Sequence, residues 1–162
     1  MDLYLIRHAD AVPLGEQGIT EDADRPLTDE GQAQARSVAA ALRKHDVSLK
    51  LIVTSPLRRA RQTADAMLRD WPAPLPELLV SDELAPGGKR RKLARFLNTW
   101  SVDAAALVGH QPGIDELAGW LIGSRKASLC LAKAAVARIC CASEIEKGCG
   151  TLTWLVPPEW LG

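Results

Sequence analysis

The chain has 162 residues, of which 47% are hydrophobic, and this length and composition suit one domain with its own apolar core. Its 20 basic and 20 acidic side chains balance, which argues against a general nucleic-acid or membrane-surface binder. Residues 2–6 are too short for a secretory signal, and no segment reaches the roughly 18 apolar residues that cross a bilayer, so we expect a cytoplasmic protein.

The first half of the chain alternates strand and helix patterns. "LYLIR" (3–7) and "LKLIVTS" (49–55) are apolar runs that predict strands buried on both faces. A helix is predicted within "RPLTDEGQAQARSVAAALRKH", with Thr28 as its N-cap and acidic residues in its first turn. A second helix is predicted from Pro56 onward in "PLRRARQTADAMLRDW".

The second half continues the alternation and ends in a hairpin. "LLVSDEL" predicts a short edge strand, "GKRRKLARFLNTW" a third helix and "AAALVGH" a buried strand, and "PGIDELAGWLIG" predicts a fourth helix that ends before Gly123. "AAVARICCAS" and "TLTWLV" predict an antiparallel hairpin at the edge of the sheet. The pattern indicates a three-layer α/β/α fold with a mainly parallel sheet flanked by helices.

Three predicted strands end in polar residues of similar chemistry. The first ends at Arg7-His8, the second at Ser55 just before a helix with Arg58 and Arg59, and the third at His110. Ligands of open α/β sheets bind outside the carboxyl ends of the strands, so these side chains are expected to converge. Arginine forks, a helix N-terminus and imidazoles suit a phosphoryl dianion, with one histidine as nucleophile and the other as donor.

Four segments, "LIRHADA", "RPLTDEGQAQA", "SPLRRARQTA" and "VGHQP", resemble successive signatures of the histidine phosphatase superfamily. The chain is most similar to its small SixA-type phosphohistidine phosphatases, over residues 2 to about 120. The resemblance implies a phosphoglycerate mutase-like fold and one histidine phosphatase domain over residues 1–162. It also implies that His8 is the phosphorylated nucleophile and that Arg7, Arg59 and His110 bind the phosphoryl oxygens. Ser55 is a further candidate phosphate ligand. Ala9 stands where the superfamily motif has glycine, and we expect alanine to be tolerated there.

The residue that protonates the leaving group is less defined. In the mutase branch an acidic residue does this, and the corresponding segment here is "SDELAPGG", where Glu83 is the first candidate and Asp82 the second. A phosphohistidine substrate leaves as imidazole, so SixA-like enzymes are thought to need this donor less. The segment between Glu83 and His110 is short, which predicts an open site, and the basic "GKRRK" is either a solvated helix start or a dock for an acidic partner.

The resemblance therefore implies a phosphatase acting through a covalent phosphohistidine, on a phosphohistidine-bearing signalling or phosphotransfer protein. A phosphatase for a small phosphorylated metabolite and a catalytically silent phosphate-binding module are the alternatives. We expect no metal or organic cofactor, because the arginines supply positive charge and no carboxylate cluster offers a magnesium site. The cysteines form no metal pattern, and we expect them to be reduced thiols; they are Cys130, Cys140, Cys141 and Cys149.

Overall fold

The computed structural model describes residues 1–124 and 126–161, and in this part of the chain strands and helices alternate as predicted. The strands are β1 (Asp2–Arg7), β2 (Leu51–Thr54), β3 (Glu77–Val80), β4 (Ala104–Gly109), β5 (Val136–Cys141) and β6 (Gly150–Val156). The α-helices are α1 (Asp29–Lys44), α2 (Arg58–Leu68), α3 (Arg90–Leu97) and α4 (Gly113–Leu121). Short 3-10 turns lie at Asp22–Asp24, Asp82–Leu84 and Pro158–Trp160.

The strands form one mixed sheet in the order β3-β2-β4-β1-β5-β6. The first four of these strands are mutually parallel, whereas β5 pairs antiparallel with β1 and with β6. The predicted parallel sheet and its antiparallel C-terminal hairpin are therefore confirmed, and β3 is the predicted edge strand.

Two apolar cores lie on opposite faces of the sheet, because successive residues of a strand point to opposite sides. Ile6 belongs to the core that α1 and α2 cover, and its neighbour Leu5 belongs to the core that α3 and α4 cover. Both side chains are fully buried. The helices thus flank the sheet on both faces, which confirms the three-layer α/β/α architecture.

Local signals in the sequence set the helix ends. The Thr28 side chain accepts a hydrogen bond from the Gly31 N–H at 3.0 Å and so caps α1 as predicted. Gly123 lies two residues beyond the end of α4 with a φ of 73°, the left-handed conformation that glycine adopts most readily. Helix α2 begins at Arg58 rather than Pro56, because the Leu57 N–H turns back to the Ser55 Oγ at 3.3 Å.

No helix within residues 1–124 and 126–161 combines the length and the apolar character that crossing a membrane requires.

Candidate active site

Three adjacent parallel strands bring the predicted histidines together at their carboxyl ends. His8 follows β1 and His110 follows β4, and the His8 N–H donates to the Gly109 carbonyl at 2.9 Å. Ser55 follows β2 in the same way, with its N–H donating to the Val108 carbonyl at 3.0 Å. The sheet's hydrogen-bond pattern thus continues past the strands and fixes the three residues side by side.

The His8 imidazole is held in one tautomer by hydrogen bonds on both of its nitrogens. Its Nδ1 lies 2.7 Å from the Ala9 carbonyl, which can only accept, so Nδ1 carries the proton. Its Nε2 accepts from the Arg59 Nε at 3.1 Å and therefore presents a lone pair. The His8 side chain is 6% exposed, and its ring centroid lies 5.0 Å from that of His110.

Both imidazoles are neutral at physiological pH. Burial lowers the pKa of His8 to about 4, and the cationic Arg59, Arg7 and Arg25 add to this against the opposing hydrogen bond to Ala9. Burial likewise lowers the pKa of His110 to about 3, with His8 and Arg59 contributing. A neutral His8 with a free Nε2 lone pair has the protonation state that a nucleophile requires.

Ser55 is the hydrogen-bond partner of the His110 ring. The Ser55 Oγ lies 2.8 Å from the His110 Nε2 and accepts the Leu57 N–H, so its own hydrogen is available to Nε2. When Ser55 donates this hydrogen, the proton of the neutral ring is on Nδ1, which is buried and has no hydrogen-bond partner among the described residues. His110 thus offers a neutral N–H donor beside His8.

Arg59 is aimed at His8 by contacts on its other side. Its Nη1 donates to the Asp22 carbonyl at 2.6 Å and its Nη2 to the Asp22 carboxylate at 2.9 Å, while its Nε faces His8. The Thr63 hydroxyl donates to the Arg59 carbonyl at 2.7 Å and accepts the Ala9 N–H at 3.1 Å. Arg59 is only 4% exposed, so its guanidinium has little freedom to turn away.

Asp22 and Arg25 are contacts of the site that the sequence patterns did not predict. The Asp22 carboxylate also accepts from the Arg25 Nη1 at 3.0 Å. Burial opposes ionisation, but the hydrogen bonds from Arg25 and Arg59 hold the pKa of Asp22 below its usual value. The spacing of Asp22 and Arg25, three residues apart before the first helix, was the available signal, and it is a weak one.

Arg7 reaches the site from the end of β1. Its Nη1 donates to the Leu131 carbonyl at 3.0 Å, whereas its Nε is buried without a partner in the described residues. This guanidinium therefore has an unused donor, as expected of a group that binds an anion.

Alanine at position 9 fits the backbone without strain. The non-glycine residues with positive φ in the described chain are Gln17, Asp46 and Ala134, so Ala9 has an ordinary backbone conformation. Its side chain is fully buried. A glycine is therefore not required after His8.

The two candidate proton donors lie in the 3-10 turn at Asp82–Leu84. The Glu83 carboxylate accepts the Lys89 N–H at 2.6 Å and lies 3.6 Å from the Lys92 Nζ, so it caps the start of α3. These contacts give Glu83 a structural task, and its role as a donor, like that of Asp82, stays a prediction.

The segment after Glu83 carries no large insertion, since α3 alone separates the Asp82–Leu84 turn from β4. The predicted opening does not extend to the imidazoles themselves, because His8 and His110 are 6% and 4% exposed. Within residues 1–124 and 126–161, no cluster of three or more histidine, cysteine or acidic side chains could hold a metal ion.

Comparison with known proteins agrees with this geometry. The family model of the histidine phosphatase superfamily (branch 1) matches residues 3–85. An uncharacterized protein of Picosynechococcus sp. is 34% identical over 172 aligned positions, and the alignment covers 99% of this chain and 99% of that protein. The phosphohistidine phosphatase SixA of Escherichia coli K12 is 27% identical, over 98% of this chain and 94% of its own.

Among solved structures, the protein histidine phosphatase SixA complexed with tungstate superposes over 100% of both chains, with a TM-score of 0.85 and 24% identity. The fold of that protein is therefore the fold of this chain. The neutral, buried histidine pair, the two arginines beside it and the matched family model lead to one assignment. The chain belongs to the histidine phosphatase superfamily, as a SixA-like member with phosphatase activity that depends on histidine.

Proposed function

We propose that the protein is a phosphohistidine phosphatase in which residues 1–162 form one domain and His8 accepts the phosphoryl group. The observation that carries this proposal is the Nε2 lone pair of His8, fixed by the Ala9 carbonyl on the far side of the ring. Arg59 directs its Nε at this lone pair from 3.1 Å. A phosphoryl group that enters replaces this contact with one from an equatorial oxygen.

We propose that three buried donors bind the oxygens of the phosphoryl group. They are the Arg59 Nε, the unpaired Arg7 Nε and the unpaired His110 Nδ1. The last two have no protein partner among the described residues, and such donors favour an anion with several acceptor oxygens, because each buried unpaired donor is costly. The related SixA was solved with tungstate, a tetrahedral oxyanion of this kind. Ser55 fits this scheme as the partner of His110, and a direct phosphate contact from its hydroxyl is a second, weaker proposal.

The reaction has two steps with His8 as the covalent carrier. The Nε2 lone pair attacks phosphorus, the bond from phosphorus to the leaving group breaks, and Nδ1–H stays bonded to Ala9. Water then attacks the phosphorylated His8, which releases inorganic phosphate and restores the lone pair. Arg7, Arg59 and His110 bind the equatorial oxygens and stabilise the charge that spreads over them in flight.

The substrate that this site favours is a phosphohistidine on a signalling or phosphotransfer protein. An imidazole leaving group can be protonated before cleavage, so the site needs no dedicated acid, and the Glu83 carboxylate is engaged at the start of α3. The absence of an insertion between the Asp82–Leu84 turn and β4 supports access for a side chain on a protein surface. SixA of E. coli, the 27% identical relative, is by name a phosphohistidine phosphatase.

A trapping experiment tests the covalent step. Wild-type protein incubated with a labelled phosphodonor is expected to carry phosphate that is stable in alkali and labile in acid. His8→Ala should carry none, and His45→Ala is the matched control, because His45 is an exposed residue at the end of α1. Wild-type protein that forms no phosphoenzyme and releases no phosphate would instead support a silent phosphate-binding module.

A substrate comparison tests the leaving group. We expect faster hydrolysis of a phosphohistidine protein than of sugar phosphates. Glu83→Gln, which keeps an oxygen for the Lys89 N–H, should change phosphohistidine hydrolysis less than about twofold. Preference for a sugar phosphate, together with a large loss in Glu83→Gln, would favour the small-metabolite phosphatase and a donor role for Glu83.

A further inference from the structure

The β5–β6 hairpin brings two of the four cysteines into contact. Cys141 is the last residue of β5, and Cys149 directly precedes β6. The Cys149 Sγ lies 3.4 Å from the Cys141 Sγ, within the range of an S–H···S hydrogen bond. The hairpin register pairs Cys141 with Gly150, which places Cys149 beside it. We propose that Cys141 and Cys149 are a modification site that closes reversibly to an intramolecular disulfide.

The surroundings of the pair allow the bond to form with small movements. A disulfide has an S–S length of about 2.05 Å, so the two sulfur atoms must approach by roughly 1.4 Å. A side chain at position 150 would crowd the pair, since a Cβ there would lie 3.3 Å from the Cys141 Sγ and closer still to the Ile139 Cγ2, and glycine avoids this contact. Rotation of the Cys149 side chain, which is only half-buried, supplies the approach.

The two thiols have different roles in the oxidation. Cys141 is 1% exposed and packs in the core under α3 and α4, whereas Cys149 is half-buried and is the more accessible of the two thiols. A hydroperoxide therefore meets Cys149 first. Burial and the contact with Cys149 raise the pKa of the Cys141 thiol to about 12, which keeps it protonated until the second step.

The chemistry balances with hydrogen peroxide as the oxidant. The Cys149 thiolate attacks one peroxide oxygen, the O–O bond breaks, and a sulfenic acid and water form once the proton is returned. The Cys141 sulfur then attacks the Cys149 sulfur, the S–O bond breaks, and the second water takes up the Cys141 proton. Two thiols and one peroxide thus give one disulfide and two waters.

The bond would fasten a turn that joins the hairpin to two helices. In residues 142–149, Ile145 exchanges two hydrogen bonds with the Asn98 side chain after α3, at 2.7 and 3.1 Å. The Gly148 N–H donates to the Trp120 carbonyl in α4 at 3.1 Å. Cys141 lies beside Met1 and His8 follows the other end of β1, a separation of about 20 Å at the rise of a strand. We therefore expect a gain in stability with the site of His8 unchanged.

Intact-mass measurement and thermal unfolding test the proposal independently of any phosphatase activity. Wild-type protein treated with equimolar hydrogen peroxide should lose about 2 Da, the mass of two hydrogens, and unfold ~5 °C higher, and dithiothreitol should reverse both changes. Cys149→Ser should show neither change. The double variant Cys130→Ser/Cys140→Ser removes two exposed thiols and should behave as wild type.

Three results would overturn the inference. One is a treated wild-type protein whose mass does not fall, and another is a gain of oxygen at Cys149 without a bond to Cys141. The third is a 2 Da loss that persists in Cys149→Ser or disappears in the Cys130→Ser/Cys140→Ser variant, because either would assign the disulfide to other cysteines. Peptide mapping of the oxidised protein identifies the linked residues directly.

Discussion

Ser55→Ala tests whether the hydrogen bond from Ser55 sets the tautomer of His110. The substitution removes the Oγ that lies 2.8 Å from the His110 Nε2 and leaves that buried nitrogen without its partner. A buried polar group left unsatisfied costs about 1–3 kcal/mol. If the transition-state stabilisation that an oriented His110 supplies falls by this amount, kcat/KM falls roughly 10- to 100-fold, mainly through kcat.

Two readouts separate orientation from a general loss of structure. The first is kcat and KM for p-nitrophenyl phosphate, and the second is the ¹⁵N chemical shifts of His110, which report the protonated nitrogen. Thr54→Val is the matched control, since it removes a buried hydroxyl from the adjacent residue, and in the described part of the chain that hydroxyl bonds only the Ser55 carbonyl. A Ser55→Ala protein with a rate within twofold of wild type and an unchanged His110 spectrum would refute the assignment.

The contacts of Arg59 lead to two further predictions. Arg59→Lys should lower kcat/KM by at least ~100-fold, because the single ammonium of lysine cannot contact His8 and Asp22 together. A loss below about fivefold would show that the planar guanidinium of Arg59 is not required. Asp22→Asn should lower kcat/KM by ~3- to 10-fold, since one charge-assisted bond to Arg59 weakens. Asp24→Asn, on the same 3-10 turn, is its control, and a faster Asp22→Asn enzyme would show that the carboxylate instead competes with phosphate.

The positions of the two histidines could be predicted because they depend on strand ends. An apolar run that stops at Arg7-His8 and another that stops at Gly109-His110 bring both imidazoles to one edge once the strands are parallel. Sequence patterns also predicted that helices cover both faces of the sheet. The strands are continuous apolar runs, and the helices have apolar residues at helical spacing. These features follow from local pattern plus one rule of topology.

The hydrogen-bond partners of those residues could not be predicted, because they lie in connecting segments whose sequences show no apolar periodicity. Asp22 reaches Arg59 across 37 positions of sequence, and in residues 10–28 only the spacing of Asp22 and Arg25 gives a weak indication of which acidic side chain turns inward. Glu83 is the opposite case. The family motif predicts a position near the site, but the direction of its carboxylate depends on the Lys89 N–H at the start of α3, which it accepts at 2.6 Å.

Burial of the histidines links the activity and the stability of the protein to pH. Because the pKa of folded His8 is about 4, its lone pair stays available at pH 5.5, and kcat/KM should fall only as the pH approaches 4. In the unfolded chain the same imidazole titrates near 6.5. Between these values the unfolded state binds the extra proton, so this contribution to stability is complete above pH 6.5 and is lost as the pH falls toward 4.

The size of this loss follows from the two pKa values of His8. Between pH 7 and pH 5 it amounts to roughly 2 kcal/mol in the free energy of unfolding, measured by urea titration at each pH. His8→Gln has no group to titrate at this position, so its stability should depend on pH less steeply by about that amount, while groups that do not interact with His8 contribute as before. Equal pH dependence in the two proteins would mean that His8 is not buried as a neutral imidazole, and the argument for its nucleophilic Nε2 would fail with it.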